Sequence, residues 1–206
     1  MTQTTRGLRS VLSHPAAYSA LQNLLGAKRV RKALCADYIR AKAGDVVVDV
    51  GCGPADILEH IHVPIRYYGF DLSQPYIDAA RAAHGDRGSF RCADITDLPI
   101  DDFPPCQIAI AIGLLHHLDD DGARRLIGNL QERLAPGGRL ITFDCAYWPD
   151  QSWPARFLIS RDRGQNVRNG EAYHELAAPL FPSVKLTRRD DLLNVPYTHA
   201  ILECTK

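Results

Sequence analysis

Between residues 45 and 144 five short apolar runs alternate with stretches of helical period. That alternation restricts the fold more than any other feature of the chain. The runs are Asp45 to Val50, Ile65 to Asp71, Ser89 to Ala93, Gln107 to Ile112 and Arg139 to Asp144, each bounded by Gly, Pro or Asp. Helical stretches fall at Ala55 to His60, Gln74 to Ala83 and Asp120 to Leu134, the last with Ala123, Leu126, Ile127, Leu130 and Leu134 on one face. Strand alternating with helix predicts a parallel sheet covered on both faces, an α/β doubly wound fold. Ser73 and Asp119 are expected helix N-caps. Pro136-Gly137-Gly138 is expected to end one helix and admit the next strand. Two last strand-like runs, Val184 to Arg189 and Tyr197 to Cys204, predict a hairpin-like ending.

Two segments depart from the alternation. Residues 1–43 are read as a helical arm, helical from about residue 15, and residues 44–206 as the main domain. Residues 145–182 gather Trp, Tyr, Arg and Pro and read as an insertion or lid. The chain of 206 residues has no net charge, but the arm carries eight Lys and Arg against one Asp, while residues 44–148 carry eight against sixteen acids. The arm suits either a solvated helix face or contact with nucleic acid. The six cysteines, Cys35, Cys52, Cys92, Cys106, Cys145 and Cys204, form no C-x-x-C pair, so neither a metal site nor a disulfide framework is expected. No signal-like or membrane-spanning apolar run is present, which predicts a soluble, cytoplasmic chain with no membrane partner. No motif bears on oligomeric state.

The first run ends in Asp49-Val50-Gly51-Cys52-Gly53-Pro54-Ala55-Asp56. Glycines at Gly51 and Gly53 let the backbone turn sharply and lie bare against a ligand. Twenty residues after Gly51 stands Asp71, at the end of the second run, where a carboxylate accepts hydrogen bonds from both ribose hydroxyls. An adenosine-type cofactor follows. A dinucleotide site needs a small third residue where Asp56 stands, and an acid there faces the pyrophosphate unfavourably. Asp49 instead suits a ligand carrying an ammonium group, although it also suits a structural acid bonding loop amides.

These residues resemble the class I S-adenosylmethionine-dependent methyltransferases, from about Gly44 to the C-terminus. Asp49 to Ala55 is similar to the family's first motif, with Ala55 where a third glycine is common. Gly69-Phe70-Asp71-Leu72-Ser73 is similar to the second, whose acid holds the ribose. Arg91-Cys92-Ala93-Asp94-Ile95 resembles the third-strand motif, which implies that Asp94 reaches the adenine amino group and Ile95 packs on the ring. Ile112-Gly113-Leu114-Leu115-His116-His117-Leu118 and Leu134 to Leu140 complete the series. The resemblance implies a Rossmann-like seven-stranded sheet with an antiparallel last strand. It also implies a site for S-adenosyl-L-methionine, released as S-adenosyl-L-homocysteine, with Cys52, Leu72, Ile112 and Gly113 along its wall.

The acceptor is expected over strands four and five. His116 and His117 are base candidates, with His117 favoured, and the alternative is that one packs under the cofactor and the other caps a helix. Asp144 and Tyr147 could orient a polar acceptor. Arg161, Arg163, Asn166 and Arg168 read as an anion fork. Tyr173, His174, Tyr197 and His199 are lid or core residues, and Tyr18 and Gln22 are read as closing over the cofactor. The expected activity is methyl transfer to an O or N atom of a small polar, sugar-like or phosphorylated metabolite. A nucleic-acid or protein methyltransferase using the arm is one alternative, although no D/N-P-P-Y/F/W motif ends strand four. A non-catalytic cofactor-binding protein is the other.

Overall fold

The structure is a computed structural model and describes residues 25–94, 99–162 and 164–206. Tyr18, Gln22, Ile95 and Arg163 lie outside the described residues. Seven strands, β1 (Val46–Val50), β2 (Arg66–Asp71), β3 (Gly88–Cys92), β4 (Cys106–Ile112), β5 (Leu134–Cys145), β6 (Ser183–Arg189) and β7 (His199–Thr205), form one sheet in the order β3-β2-β1-β4-β5-β7-β6. β3, β2, β1, β4 and β5 pair in parallel, and β7 runs antiparallel between β5 and β6. Strand order therefore reverses between β1 and β4. That is where the carboxyl ends of an open sheet leave a crevice for a ligand.

Alternation along the strands sorts side chains into two core layers. Val46, Val48 and Val50 of β1 join Ala109 and Ala111 of β4 on one face. There they meet Leu126, Ile127 and Leu130 of a long helix, Asp120–Arg133, and Tyr173 and Leu176 of a short one, Gly170–Ala177. Val47, Tyr67, Ile108 and Ile110 face the other way. They pack on Ile77 and Ala80 of the helix Gln74–His84, and on Val30, Leu34 and Tyr38 of the N-terminal helix Ala27–Ala33 and its π-helical extension Leu34–Ile39. In chain order the α-helices are α1 (Ala27–Ala33), α2 (Gln74–His84), α3 (Asp120–Arg133), α4 (Trp153–Ile159) and α5 (Gly170–Ala177). Among the described residues no helix is long and apolar enough to cross a membrane.

The caps follow from their residue types. Asp119 Oδ1 accepts from Gly122 N–H at 2.8 Å and opens α3, whose first turn carries Asp120 and Asp121 and whose last turn carries Arg133, as the helix dipole favours. Ser73 stands at the N-cap of α2 without a side-chain cap bond. Arg139 donates to the carbonyls of Tyr38 and Ile39, both at 2.6 Å, closing the end of the N-terminal helical segment.

Three expectations need correction. Ala55 to His60 is a 3-10 helix, Asp56–His60, because Ala55 sits in the left-handed region at φ 59 and the chain enters the turn off the α path. Pro136-Gly137-Gly138 interrupts β5 and does not precede it: Leu134 already pairs with Cys106, and pairing resumes at Arg139 with Ile108 after a register shift. Residues 170–177 are no lid, since α5 buries Tyr173, Leu176 and Ala177 in the core. Among the described basic residues of the arm, Lys28, Arg29, Lys32, Arg40 and Lys42 are exposed and Arg31 is half-buried, and three of them have partners. Arg29 donates to Leu192 O at 3.0 Å, Arg31 pairs with Asp56 at 2.8 Å and Arg40 with Glu203 at 2.5 Å.

Candidate active site

At the carboxyl end of β1 the backbone turns through Gly51 (φ 74) and Gly53 (φ 54), a left-handed conformation that side chains resist. Gly51 and Cys52 N–H groups donate to Phe70 O at 2.7 and 3.0 Å, which ties the turn to the end of β2. Asp71 completes the link. Its Oδ2 accepts from Gly53 N–H at 2.9 Å and its Oδ1 from Ser73 N–H at 2.8 Å. A carboxylate offers about four acceptor positions, so two remain for ligand hydroxyls. Burial lifts the Asp71 pKa, against the Ser73, Gly53 and Leu72 amides that favour the charge.

Asp94 lies half-buried just past β3, beside Ala93, whose N–H donates to Asp71 O at 2.9 Å. Leu72 is 50% exposed on the same rim. Ile112 ends β4 half-buried, and Gly113 follows at φ 66 with its N–H on Phe143 O at 2.7 Å. Cys52 is half-buried. The expected cofactor residues of β1, β2, β3 and β4 are thus gathered along one line of strand ends.

Asp49, in β1, is 2% exposed. The Tyr67 hydroxyl donates to its Oδ2, while Oδ1 is buried and accepts no hydrogen bond among the described residues. Burial pushes its pKa up to about 7, against the Tyr67 bond, with Asp71 adding to the rise. Tyr67→Phe keeps the ring against Phe90 and removes the one donor to this acid. The expected cost is about 1–3 kcal/mol at pH 8, read by urea unfolding, and less at pH 5, where the acid is protonated. An equal cost at both pH values would contradict this account of Asp49.

On the acceptor side, Asp144 closes β5 almost fully buried. Its Oδ1 meets His116 Nδ1 at 2.7 Å and accepts from His116 N–H at 3.2 Å. The other ring nitrogen, Nε2, faces Asp162 Oδ1 at 3.3 Å. Burial works against a charged ring here, but the hydrogen bonds to Asp144 and Asp162 outweigh it and lift the His116 pKa to about 9. Both His116 ring nitrogens thus face carboxylates, which favours the charged ring. Asp144 holds that ring. His117 is half-buried, with its ring centroid 4.2 Å from that of His116.

The anion fork is also corrected. Arg168, with its side chain 9% exposed, spends all five N–H donors on Asp120 Oδ1 and the carbonyls of Leu115, Leu118 and Asn166, at 2.7 to 3.0 Å. It braces the loop after α4 against the β4–α3 connection and has no donor left for a ligand. Asn166 N–H adds a bond to His116 O at 3.0 Å. Arg161 is exposed, 5.4 Å from the Phe157 ring centroid. Tyr147 is half-buried under Arg156 and bridges to Asn169.

Sequence reasoning missed Asp162 and Gly164. Asp162 receives Gly164 N–H at 2.9 Å and the Tyr197 hydroxyl at 2.7 Å, besides facing His116. A Cβ at Gly164 would overlap the His116 ring, so only glycine lets the loop approach this closely. A glycine inside an arginine-rich loop was the one available signal. His199 and Tyr173 are core: His199 stacks on Phe143 at 4.3 Å, and burial draws its pKa down to about 4. A shallow depression of about 280 Å³ lined by Arg66, Arg87 and Ser89 lies at the amino ends of β2 and β3, away from these strand ends.

Residues 47–138 match a family described as a methyltransferase domain. An uncharacterized methyltransferase of Geobacillus sp. (strain WCH70) is 24% identical over 143 residues, 69% of this chain and 63% of the relative. The chloroplastic 2-phytyl-1,4-beta-naphthoquinone methyltransferase of Arabidopsis thaliana is 29% identical over 140 residues, 62% of this chain and 52% of the relative. The chain thus spans between half and two thirds of the length of these relatives. Among solved structures, phosphoethanolamine N-methyltransferase 2 of Haemonchus contortus superposes with a TM-score of 0.76 at 13% identity, over 97% of this chain and 59% of that one. The cyclase SpnF does so with a TM-score of 0.69 at 17% identity, over 87% and 81%.

Proposed function

From the match of residues 47–138 to a methyltransferase domain and the likeness to proteins named as methyltransferases, we propose that this chain is a class I S-adenosylmethionine-dependent methyltransferase that transfers a methyl group to an O or N atom of a small polar acceptor. The observation that carries this reading is the junction of Gly53 N–H with the Asp71 carboxylate across the ends of β1 and β2. The residues present fit the cofactor. The glycine turn leaves backbone bare, a Cβ at Gly53 would stand in open space, and Asp71 keeps two acceptor positions for a ribose. Asp94 lies beside it for an adenine amino group. Asp49, buried in β1, supplies negative charge through a low-dielectric wall to a cationic amino-acid tail.

When bound, S-adenosylmethionine supplies an electrophilic methyl on a sulfonium. The protein must then align the acceptor in line and, for a hydroxyl or amine, take its proton. His117 is our candidate for that proton. Asp144, His116 and Asp162 act as positioning residues that fix the backbone beside it, and Tyr147, Asn166 and Arg161 line the acceptor side.

The named acceptors of the relatives differ widely, from a phytyl naphthoquinone to phosphoethanolamine, and SpnF is named as a cyclase on the same fold. Acceptor choice therefore rests on this chain's own residues. With Arg168 committed as a brace, Arg161 is the arginine of the expected fork left, among the described residues, for an anionic group, so polarity is supported better than a phosphate. Arg31 and Arg40 are paired with Asp56 and Glu203, which leaves fewer of the arm's cations for phosphate contacts. Six free cysteines suit a reducing, cytoplasmic setting.

The test is release of S-adenosylhomocysteine from S-adenosylmethionine across matched hydroxyl and amine acceptors, with and without a carboxylate or phosphate. His117→Gln is expected to lower kcat by about 10²–10⁴-fold on the best acceptor. Turnover untouched by this substitution would remove the base role. Product release only with nucleic acid would overturn the small-molecule reading.

A further inference from the structure

His116 Nε2, Cys145 Sγ and an Asp162 carboxylate oxygen lie within 4.8 Å of one another at the carboxyl ends of β4 and β5. We propose that these three side chains form a site for a zinc-like divalent cation, with a fourth position left for water or an acceptor atom. The proposal does not depend on the methyl-transfer reading.

Geometry argues for it first. Bonds of about 2.0–2.3 Å around a tetrahedral zinc give ligand-to-ligand edges of about 3.3–3.6 Å. The Nε2 to Oδ1 separation is already 3.3 Å, long for a charge-assisted hydrogen bond and equal to that edge. A side-chain movement of about 1 Å brings the sulfur to the same spacing, on the bond lengths usual for zinc. One carboxylate, one imidazole and one thiolate are the donor types zinc takes, and three protein ligands with an open position are the catalytic arrangement.

The surroundings of the cluster match those of ligand sets. Asp144 Oδ1 holds His116 Nδ1 at 2.7 Å, which fixes the ring and turns Nε2 toward Asp162, as a carboxylate behind a metal-bound histidine does. The Tyr197 hydroxyl holds Asp162 Oδ2 at 2.7 Å, so the carboxylate ligand is held in place as the histidine is. Asp162, its side chain 25% exposed, gives the cation a way in, while His116 and Cys145 are buried.

The charge balance is also favourable. Without metal, two carboxylates, one imidazolium and one thiol sum to minus one. With a divalent cation, two carboxylates, a thiolate and a neutral imidazole again sum to minus one, and two protons leave, one from nitrogen and one from sulfur. The cation thus enters without adding net charge to a buried site. Dispersed cysteines hide such a site from sequence, since residues 116, 145 and 162 carry no motif spacing.

The experiment uses the full chain after chelator treatment, titrated with cobalt(II) and then zinc. One equivalent of cobalt is expected to give a thiolate-to-cobalt charge-transfer band that zinc abolishes, with apparent affinity rising with pH as ligand protons are released. Cys145→Ser must lose the band, and Asp162→Asn must weaken binding about tenfold or more, on the scale of losing a ligand or its support. No band in folded wild type at millimolar cobalt overturns the proposal, as does a band that survives in Cys145→Ser. Circular dichroism confirms the fold of each variant. S-adenosylhomocysteine binding, measured on the same samples, reports separately on the cofactor site.

Discussion

Asp71→Ala is expected to weaken S-adenosylhomocysteine binding by about two to three orders of magnitude. The carboxylate has two positions left after Gly53 and Ser73 N–H. Each hydrogen bond from a ribose hydroxyl to a charged group is worth about 1.5–3 kcal/mol, so losing two amounts to about 3–6 kcal/mol at about 1.4 kcal/mol per decade of affinity, and the expected loss lies in the lower part of that range. The turn also loses its anchor through Gly53, which adds an ordering cost on binding. Asp71→Asn should fall between, because its amide presents N–H donors toward one of the two backbone N–H groups. Isothermal titration of the folded variants reads this directly. A loss under about fivefold in Asp71→Ala would mean that the ribose is held elsewhere.

The second large effect concerns Asp49 and runs in opposite directions for stability and binding. Its folded pKa is raised from 3.8 to about 7 by burial. A raised pKa means that the contribution to stability is complete below the unfolded value and is lost as pH rises through about 7. The lift corresponds to at most about 4 kcal/mol at high pH, reduced in practice because the amide of an asparagine also needs partners. Asp49→Asn is therefore expected to stabilise the ligand-free protein by about 2 kcal/mol at pH 8 and by little at pH 5. The same change should weaken S-adenosylhomocysteine about tenfold, by removing charge near the cationic tail. Urea midpoints at the two pH values, set beside titration of the ligand, check both halves. A destabilised variant at pH 8 would show that Asp49 serves as a structural acid alone.

The strands were legible because they carry their own signal. β1 to β4 each fall within one or two residues of the apolar runs, and the hairpin of β6 and β7 follows the last two. The placement of the expected cofactor residues at strand ends was equally legible, since in an open sheet strand ends are also ligand positions. The acceptor side was not. Arg168 reads as a free arginine in a polar loop, and only its bonds to Asp120 and Leu115, 48 and 53 residues away, make it a brace. His116 reads as a base until Asp144 and Asp162 are seen on its two nitrogens. Periodicity tells which face of an element is buried, but not which distant polar group meets which. That information is set by loop approach, here permitted by the bare backbone of Gly164 against the His116 ring.

The most direct test of the account is thermal unfolding with S-adenosylhomocysteine and, separately, with NADH, each in large excess. A ligand at about a hundredfold over its dissociation constant adds about 2.7 kcal/mol to a protein that binds it only when folded. For a chain of this size that raises Tm by about 5–10 °C. The account predicts this rise with S-adenosylhomocysteine and none with NADH. A rise with NADH alone, or with neither ligand, would contradict it.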